Sequence, residues 1–477
     1  MNHQDHDHSR RREPGHLAEL RPRSRRRWWA AGLAGLTGLA LIATSVAASV
    51  VGTAGPSLTS AGGPSSSTED RRSGGGSDPG RGKNEMKPKP ERVPCDADKL
   101  IAAITLANAR GGAVLDLAEK CTYTLTANID GAGLPAITAP ITLNGGKHTT
   151  ITRAAAVAQF RILTVNVGGD LTLNHLTITG GQTIGDGGGI FVNTGAALTA
   201  NHSTVTRNIA GSDGTGSSGG IANNGTTAIN HSTVSRNTAA TSAGGVGNVG
   251  LLTIEKSNVT ANAANAVNGI GGGVGSFPGS TTSVTRSTIS GNSTIGAGGG
   301  TGGLSAKVTV TDSAITGNGA SNGGAAFAQG GSLTLRHVAV THNTSVNQGG
   351  GLVFQGLNAA TVGTIADSKI AHNVANIQNG GGIVNAALNQ PSTVYVRDTH
   401  ITDNQAEFGG GIFNLASQGI DGVVTLVNTK ITKNIAVQNG GGIFNLPVGV
   451  VNLNPATGTI VIKNRPNNCF NVPGCAG

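Results

Sequence analysis

Ten times between residues 188 and 464 the chain writes one phrase. "GGGIFNLASQGIDGVVTLVNTKITKN" (409–434) and "GGGIFNLPVGVVNLNPATGTIVIKN" (440–464) are neighbouring copies. Each copy opens on a Gly-Gly element and closes on Asn. The closing residues are Asn208, Asn237, Asn262, Asn292, Asn318, Asn343, Asn373, Asn404, Asn434 and Asn464, spaced 25 to 31 apart. Self-similarity at this period means stacked supersecondary units, each burying its apolar side against the next.

The columns of this alignment have clear chemistry. After Gly-Gly stand Ile190, Ile221, Val246, Val274, Leu304, Ala325, Leu352, Ile383, Ile412 and Ile443. Three residues before each Asn stand Val205, Val234, Val259, Ile289, Ile315, Val340, Ile370, Ile401, Ile431 and Val461. Stiff, β-branched side chains suit a pleated, buried surface. Between these columns apolar and polar residues alternate, as in "VTLVN" (424–428) and "LTLRH" (333–337), so one side of each run faces inward. Each phrase therefore predicts three short strands separated by turns.

No segment of the repeat has helical periodicity, and Gly and Thr abound in it. A leucine-rich repeat would show a Leu ladder, and a propeller blade would be longer and carry aromatic marks. Aromatics make up 3% of the chain and charged residues 12%, which suits narrow coils filled by Val, Ile and Leu. Gly accounts for 77 of 477 residues without a Gly-x-y period, which excludes collagen. The fold these features predict is all-β: a parallel β-helix of about 12 coils whose strands stack ~4.8 Å apart. Gly-Gly is expected where a turn needs positive φ or close backbone approach. The closing Asn is expected in a left-handed conformation, its amide bonded from coil to coil.

The "GGGI" openings and "Ser-x-Ile-Thr-x-Asn" closings resemble the right-handed parallel β-helix family of secreted bacterial proteins, the pectate lyase-like superfamily fold. They are also similar to the repeats of polymorphic outer-membrane proteins, although no C-terminal barrel follows the array. The resemblance spans 115–464 and implies a right-handed solenoid with a capping helix.

Five regions are expected. Residues 1–54 read as a targeting segment: Arg25, Arg26 and Arg27, an apolar run, then small residues around Ala48 and Ala54. Both a cleaved signal peptide, Sec or twin-arginine, and an uncleaved membrane anchor over 30–51 fit this pattern. Either places the remainder outside the cytoplasm, secreted or attached to the envelope. Residues 55–92 read as a disordered Gly/Ser/Pro-rich tether. Residues 93–114 form an N-terminal cap with a helix in "DADKLIAAITLANARGG", Asp98 as its N-cap and Leu100, Ile101 and Ile104 as its apolar side. The β-helix occupies 115–464 and a Cys-containing cap 465–477.

Of the four cysteines, Cys95 and Cys121 bracket the helix, while Cys469 and Cys475 lie at the other end. The expected pairs are 95–121 and 469–475, with the other pairings open from sequence alone. Disulfides accord with export. The formal charge of +9 is concentrated in residues 1–92, which hold 15 Lys and Arg against 9 Asp and Glu, so it is no argument for a nucleic acid partner.

Motifs with specific chemistry are scarce. "NID" (128–130) lacks the companion elements of a polygalacturonase, and "GGKHTT" (145–150) lacks a phosphate loop's first Gly. The densest polar clustering is columnar. Asp312, His337, Asp367, Asp398 and Asn428 stand six residues before the closing Asn, and His342, His372, Asp403, Lys433 and Lys463 one before it. Stacked Asp367 and Asp398, with His372 and Asp403 nearby, form a candidate cluster that could share a calcium ion or raise one carboxyl pKa. Solvated turns, where Asp, Asn and His are common, account for the same letters. His175, His202 and His231 make a second ladder. No catalytic residue and no other cofactor is expected. Thr, Ser and Asn ladders outnumber carboxylates, so the leading expectation is an exported, monomeric, non-catalytic β-helix that binds polysaccharide or another cell-surface component through its flanks. A pectate-lyase-like lyase or glycoside hydrolase, and a structural spacer of the envelope, are the alternatives. Contact with the membrane is expected only through the N-terminal segment.

Overall fold

The computed structural model describes residues 89–476; the expected targeting segment and nearly all of the tether lie outside them. Among the described residues no helix is long and apolar enough to cross a membrane. The chain forms a right-handed parallel β-helix, with one face a 24-stranded sheet, a second face of 13 strands and a third of ten. The thirteen strands of the second face show slightly more turns than the twelve expected from the repeat. All strand pairs that build the three faces are parallel, and they keep register from coil to coil, as in Val205↔Val234, Val234↔Val259 and Val259↔Ile289, apart from shifts on the third face after Ala320 and Ala406.

A typical coil has four strand segments rather than three. In the coil from Gly188 to Asn208, Ile190–Val192 and Ala197–Asn201 both belong to the first face, with a bend between them; Thr204–Thr206 forms the second face and Ile209–Ala210 begins the third. In two coils the bend straightens and the first two segments merge into single strands, Thr301–Thr311 and Ala326–Arg336. This merger corrects two positions of the aliphatic column. Val274 pairs with Thr301, not Leu304, and Thr301 pairs with Ala326, not Ala325. The extra Gly-Gly at 302–303 misaligned Leu304, whereas hydrogen bonding follows the pair at 299–300; Ala325 was misaligned because it stands where the other coils have the second glycine of the pair.

The opening phrase can now be read letter by letter. In "GGGIFN" at 409–414, Gly409 has a φ of +62° and makes the corner. Ile412 is fully buried in the bore, and Phe413 points to the opposite side of the sheet, into a separate apolar cluster with Val384, Leu415 and Phe444. Phe413, Phe444 and Phe470 stack ring on ring at 5.4 and 4.7 Å. Asn414 points back into the bore, bonded between Asn385 and Asn445 at 2.8 Å on each side.

The Gly-Gly pair and the closing Asn touch. A Cβ added at Gly189 would stand 2.9 Å from the amide nitrogen of Asn208 and 2.7 Å from the carbonyl oxygen of Gly220. At Gly220 the same carbon would meet Asn237 at 2.9 Å. Close approach, rather than positive φ, therefore explains the pair; the left-handed residue is the one before it. Each closing Asn is buried and linked to the next. Asn343 donates its backbone N–H and its side-chain amide to Asn373 Oδ1 at 3.0 and 2.9 Å. Asn373 does the same to Asn404, and its amide also donates to the Val340 carbonyl of the coil before. The chain of bonds starts at the Gly181 N–H and ends on Asn468 Oδ1. The expected left-handed Asn is corrected: positive φ belongs to the preceding residue, 56° at His372 and 57° at Lys433.

A second ladder was missed by sequence. Ser203, Ser232, Ser257 and Ser287 each accept the backbone N–H of the equivalent residue one coil earlier, starting from Leu176. Its signal was the recurring Ser two residues before the Val/Ile column.

Helix α1, Ala97–Ala109, covers the N-terminal end with Leu100, Ile104 and Ala107 buried. Its N-cap is Asp96, not Asp98: the Asp96 carboxylate accepts from the N–H groups of Asp98 and Lys99. The first strand, Glu91–Val93, starts inside the expected tether and pairs with Ala113–Leu117. Tyr123 is fully buried beneath it; its hydroxyl donates to the Val93 carbonyl and accepts from the Ala118 N–H, and burial raises its pKa. Disulfides Cys95–Cys121 and Cys469–Cys475 close the two ends.

Two predictions follow from the lock and the cap. Asn373→Leu should cost roughly 1–3 kcal/mol, because the buried N–H of Asn343 loses its acceptor. Hydrogen exchange should quicken first in the two adjoining coils, since each coil touches only its neighbours. His372→Asn, at a left-handed position that Asn tolerates, should cost little; equal melting of the two variants would contradict the internal ladder. Cys121→Ser should lower the melting temperature, with about 3 kcal/mol at stake in the closed loop. It should also promote self-association through the first strand edge. An unchanged melting curve and elution profile would count against the clamp.

Candidate functional site

The second face is three residues wide and lies between two tight corners. Both corners need a left-handed residue; the chain supplies polar ones throughout the first corner, and at the second polar ones interrupted by Gly180, Ala261, Gly291 and Gly317. Short polar side chains tolerate this conformation best.

The first corner column precedes the buried Ser ladder. It runs through Lys120, His148, His175, His202, His231, Lys256 and Arg286, then continues as Asp312, His337, Asp367, Asp398 and Asn428, with φ between 44° and 62° throughout. The histidine ladder and the aspartate column, distinct by sequence, are thus one row on one edge.

In the acidic half, cations accompany the carboxylates. Arg397 lies between Asp367 and Asp398, with contacts of 3.6 and 2.9 Å. His337 faces Asp312 at 3.3 Å and Asp367 at 3.8 Å, and Arg336 approaches Asp367 at 4.0 Å. Asn428 donates to Asp398 at 2.7 Å. Arg336 and Arg397 are outward ends of first-face strands, a contribution the column pattern did not reveal.

His372 and Asp403 belong to the second corner, across the strand Lys369–Ala371 from Asp367. His372 stacks on His342 at 5.0 Å, and Asp403 accepts from its neighbour Thr402 at 2.7 Å. The expected four-residue cluster is therefore divided between two edges, because three strand residues separate the corners. Among the described residues no group of three His, Cys, Asp or Glu is placed to hold a metal ion.

In the basic half, the rings of His175, His202 and His231 stack at 4.9 Å with interplanar angles of 8° and 20°. Near-parallel rings set their nitrogens side by side rather than aiming them at one point. At the start of this stack lies a groove of about 530 Å³, bordered by Glu119, Lys147, His148, His175 and His202. The "GGKHTT" segment thus forms the groove wall.

Across the second face the residues that point away from the bore are mainly hydroxylated in these coils: Thr177 and Thr179, Thr204 and Thr206, Thr233 and Ser235, with Thr206 and Ser235 largely covered. Their oxygens meet between coils, as Thr206 and Ser235 do at 3.1 Å and Thr341 and Thr316 do as well.

No family pattern matches the chain, and no curated protein does. Among solved structures, the mannuronan C-5 epimerase AlgE6 A-module of Azotobacter vinelandii is similar, with a TM-score of 0.43 and 13% identity over 79% of this chain and 94% of that one.

Proposed function

We propose that the protein is an exported β-helix that binds carbohydrate through its flanks, held to or released from the cell envelope by its N-terminal segment. The observation that carries this reading is the second face. Its hydroxyl rows repeat in register from Thr177 to Ser235 and are bordered on one edge by an unbroken polar column and on the other by a column that includes Arg207 and Arg236. A periodic surface offers one hydrogen-bonding pattern many times over, which suits a polymer of repeating units. Weak contacts of this kind gain strength when linked along one ligand. Two disulfides accord with an oxidising compartment.

A second reading, a polysaccharide lyase or hydrolase, draws on the Asp367, Asp398, His337 and Arg397 cluster. Paired carboxylates with a nearby cation are a recurring requirement of that chemistry. The cluster lies on a corner, and each of its carboxylates has a cationic or amide partner.

The two readings separate in one experiment. The full chain, incubated with a panel of polysaccharides, should be retained by at least one of them without generating reducing ends or unsaturated products. Retention should persist in Asp398→Asn. Product formation that Asp398→Asn abolishes would replace the binding reading with the enzymatic one.

A further inference from the structure

We propose that the basic stretch of the first corner column, Lys120 to Arg286, binds a linear glycan bearing anionic groups and laid along the solenoid axis. The proposal deepens the carbohydrate-binding reading and rests on it.

Seven consecutive coils place a Lys, His or Arg at this corner, and every one of these side chains is exposed. No acidic residue enters the column before Asp312. Among the described residues the ion pairs of this stretch are those of Lys256 and Arg286 with Glu255. Neighbouring cations within a Debye length of ~8–10 Å repel one another, and an anion between them relieves that repulsion. The left-handed corner fixes the backbone at each position, and stacking fixes the rings of His175, His202 and His231, so less ordering of these groups is left for the ligand to impose. Beyond Arg286 the same column turns acidic, and its Asp residues hold cations of their own. The binding stretch therefore has a defined end.

The flanks favour sugar. On the first-face side runs a neutral amide ladder, Asn144, Asn174, Asn201 and Asn230, with bonds of 2.8 to 3.0 Å. On the other side stand the hydroxyls of Thr177, Thr204 and Thr233. The groove beside His148 and His175 offers a place for a substituent or a chain end. A single-stranded nucleic acid would need free aromatic faces for its bases, whereas the rings of His175, His202 and His231 cover one another's faces and amides and hydroxyls border the column. Duplex phosphates wind around their axis, while the register keeps this column on one edge.

The charged groups around the histidines are Glu119, Lys147 and Asp116 at the groove end, Glu255 at the far end, and Arg207 and Arg236 across the second face. Imidazoles gain positive charge between pH 8 and 5. Binding should therefore tighten as pH falls.

The test uses the full chain with dextran sulfate, polygalacturonate, uncharged dextran and a single-stranded oligonucleotide, measured by calorimetric titration. At least one anionic polysaccharide should bind, roughly tenfold more tightly at about pH 5.5 than at about pH 7.5. The combined His175→Asn, His202→Asn and His231→Asn variant keeps a residue suited to the corner, as Asn428 is. It should bind roughly tenfold more weakly at the lower pH and lose the pH dependence. Lys256→Asn with Arg286→Asn should weaken binding at both pH values. His342→Asn with His372→Asn, the stack on the opposite corner, should change nothing. In the unmodified protein, about 0.5 M salt should abolish most of the binding. Equal affinity for uncharged dextran, with salt and the variants without effect, would overturn this inference and leave the carbohydrate reading standing. Tighter binding of the oligonucleotide would overturn the choice of ligand. Binding of no polysaccharide here or across a wider glycan panel would overturn both.

Discussion

The structure depends on a contact between two backbone-poor letters, Gly and Asn. In nine of the ten coils the closing Asn lies against the second opening glycine; in the coil of Asn343, Ala325 takes the glycine's place. At Gly189 and Gly220 the approach is so tight that a single added carbon would stand about 3 Å or less from the Asn amide. The same amide bonds to the next coil and to the one before. One side chain thus closes its own turn and sets the register of its neighbours. Parallel sheets expose unpaired groups at every corner, and buried unpaired groups are costly. The Asn column, with the Ser ladder on the other corner, satisfies these groups without water.

Fixing the register has a consequence for the surface. Because like positions stack, any residue tolerated at a corner is written again one coil later, about 4.9 Å away where rings mark the spacing. Corners must be left-handed, so they draw glycine or polar side chains, and where they are polar, as all along the first corner, the exterior becomes a polar row. The first corner column carries basic residues over its N-terminal half and acidic ones, with their own cations, over the rest. Function on such a fold is a property of rows rather than of a single pocket.

Much of this was legible in the chain. The Val/Ile column is visible because β-branched residues recur three positions before Asn, and a buried strand centre admits little else. The helix was legible from its apolar spacing, but its cap was displaced by two residues, since Asp96 and Asp98 are chemically equal and only geometry separates them. Leu304 was misplaced because an extra Gly-Gly at 302–303 imitates the phrase where two strands merge, and Ala325 because it replaces the second glycine of the pair, so that the corner Gly323 with Gly324 imitates the pair one residue early. The candidate cluster was legible only in part. Stacking along one column can be read from spacing, whereas the distance across the second face cannot, which is why His372 and Asp403 proved to lie on the other edge. The roles of Arg336 and Arg397 could not be read at all: they come from a different strand and reach the column sideways.

The central claim is that the Asn–Gly lock holds each coil closed. Its most direct test is native-state hydrogen exchange of the unmodified chain, resolved to single residues. Backbone N–H groups of the Asn column in the middle coils, such as Asn318, Asn343 and Asn373, should exchange only through global unfolding and share one protection factor. Amides at the outermost coils should exchange earlier. Exchange of the middle Asn amides by local opening, at rates like those of the exposed third-face residues, would contradict the account.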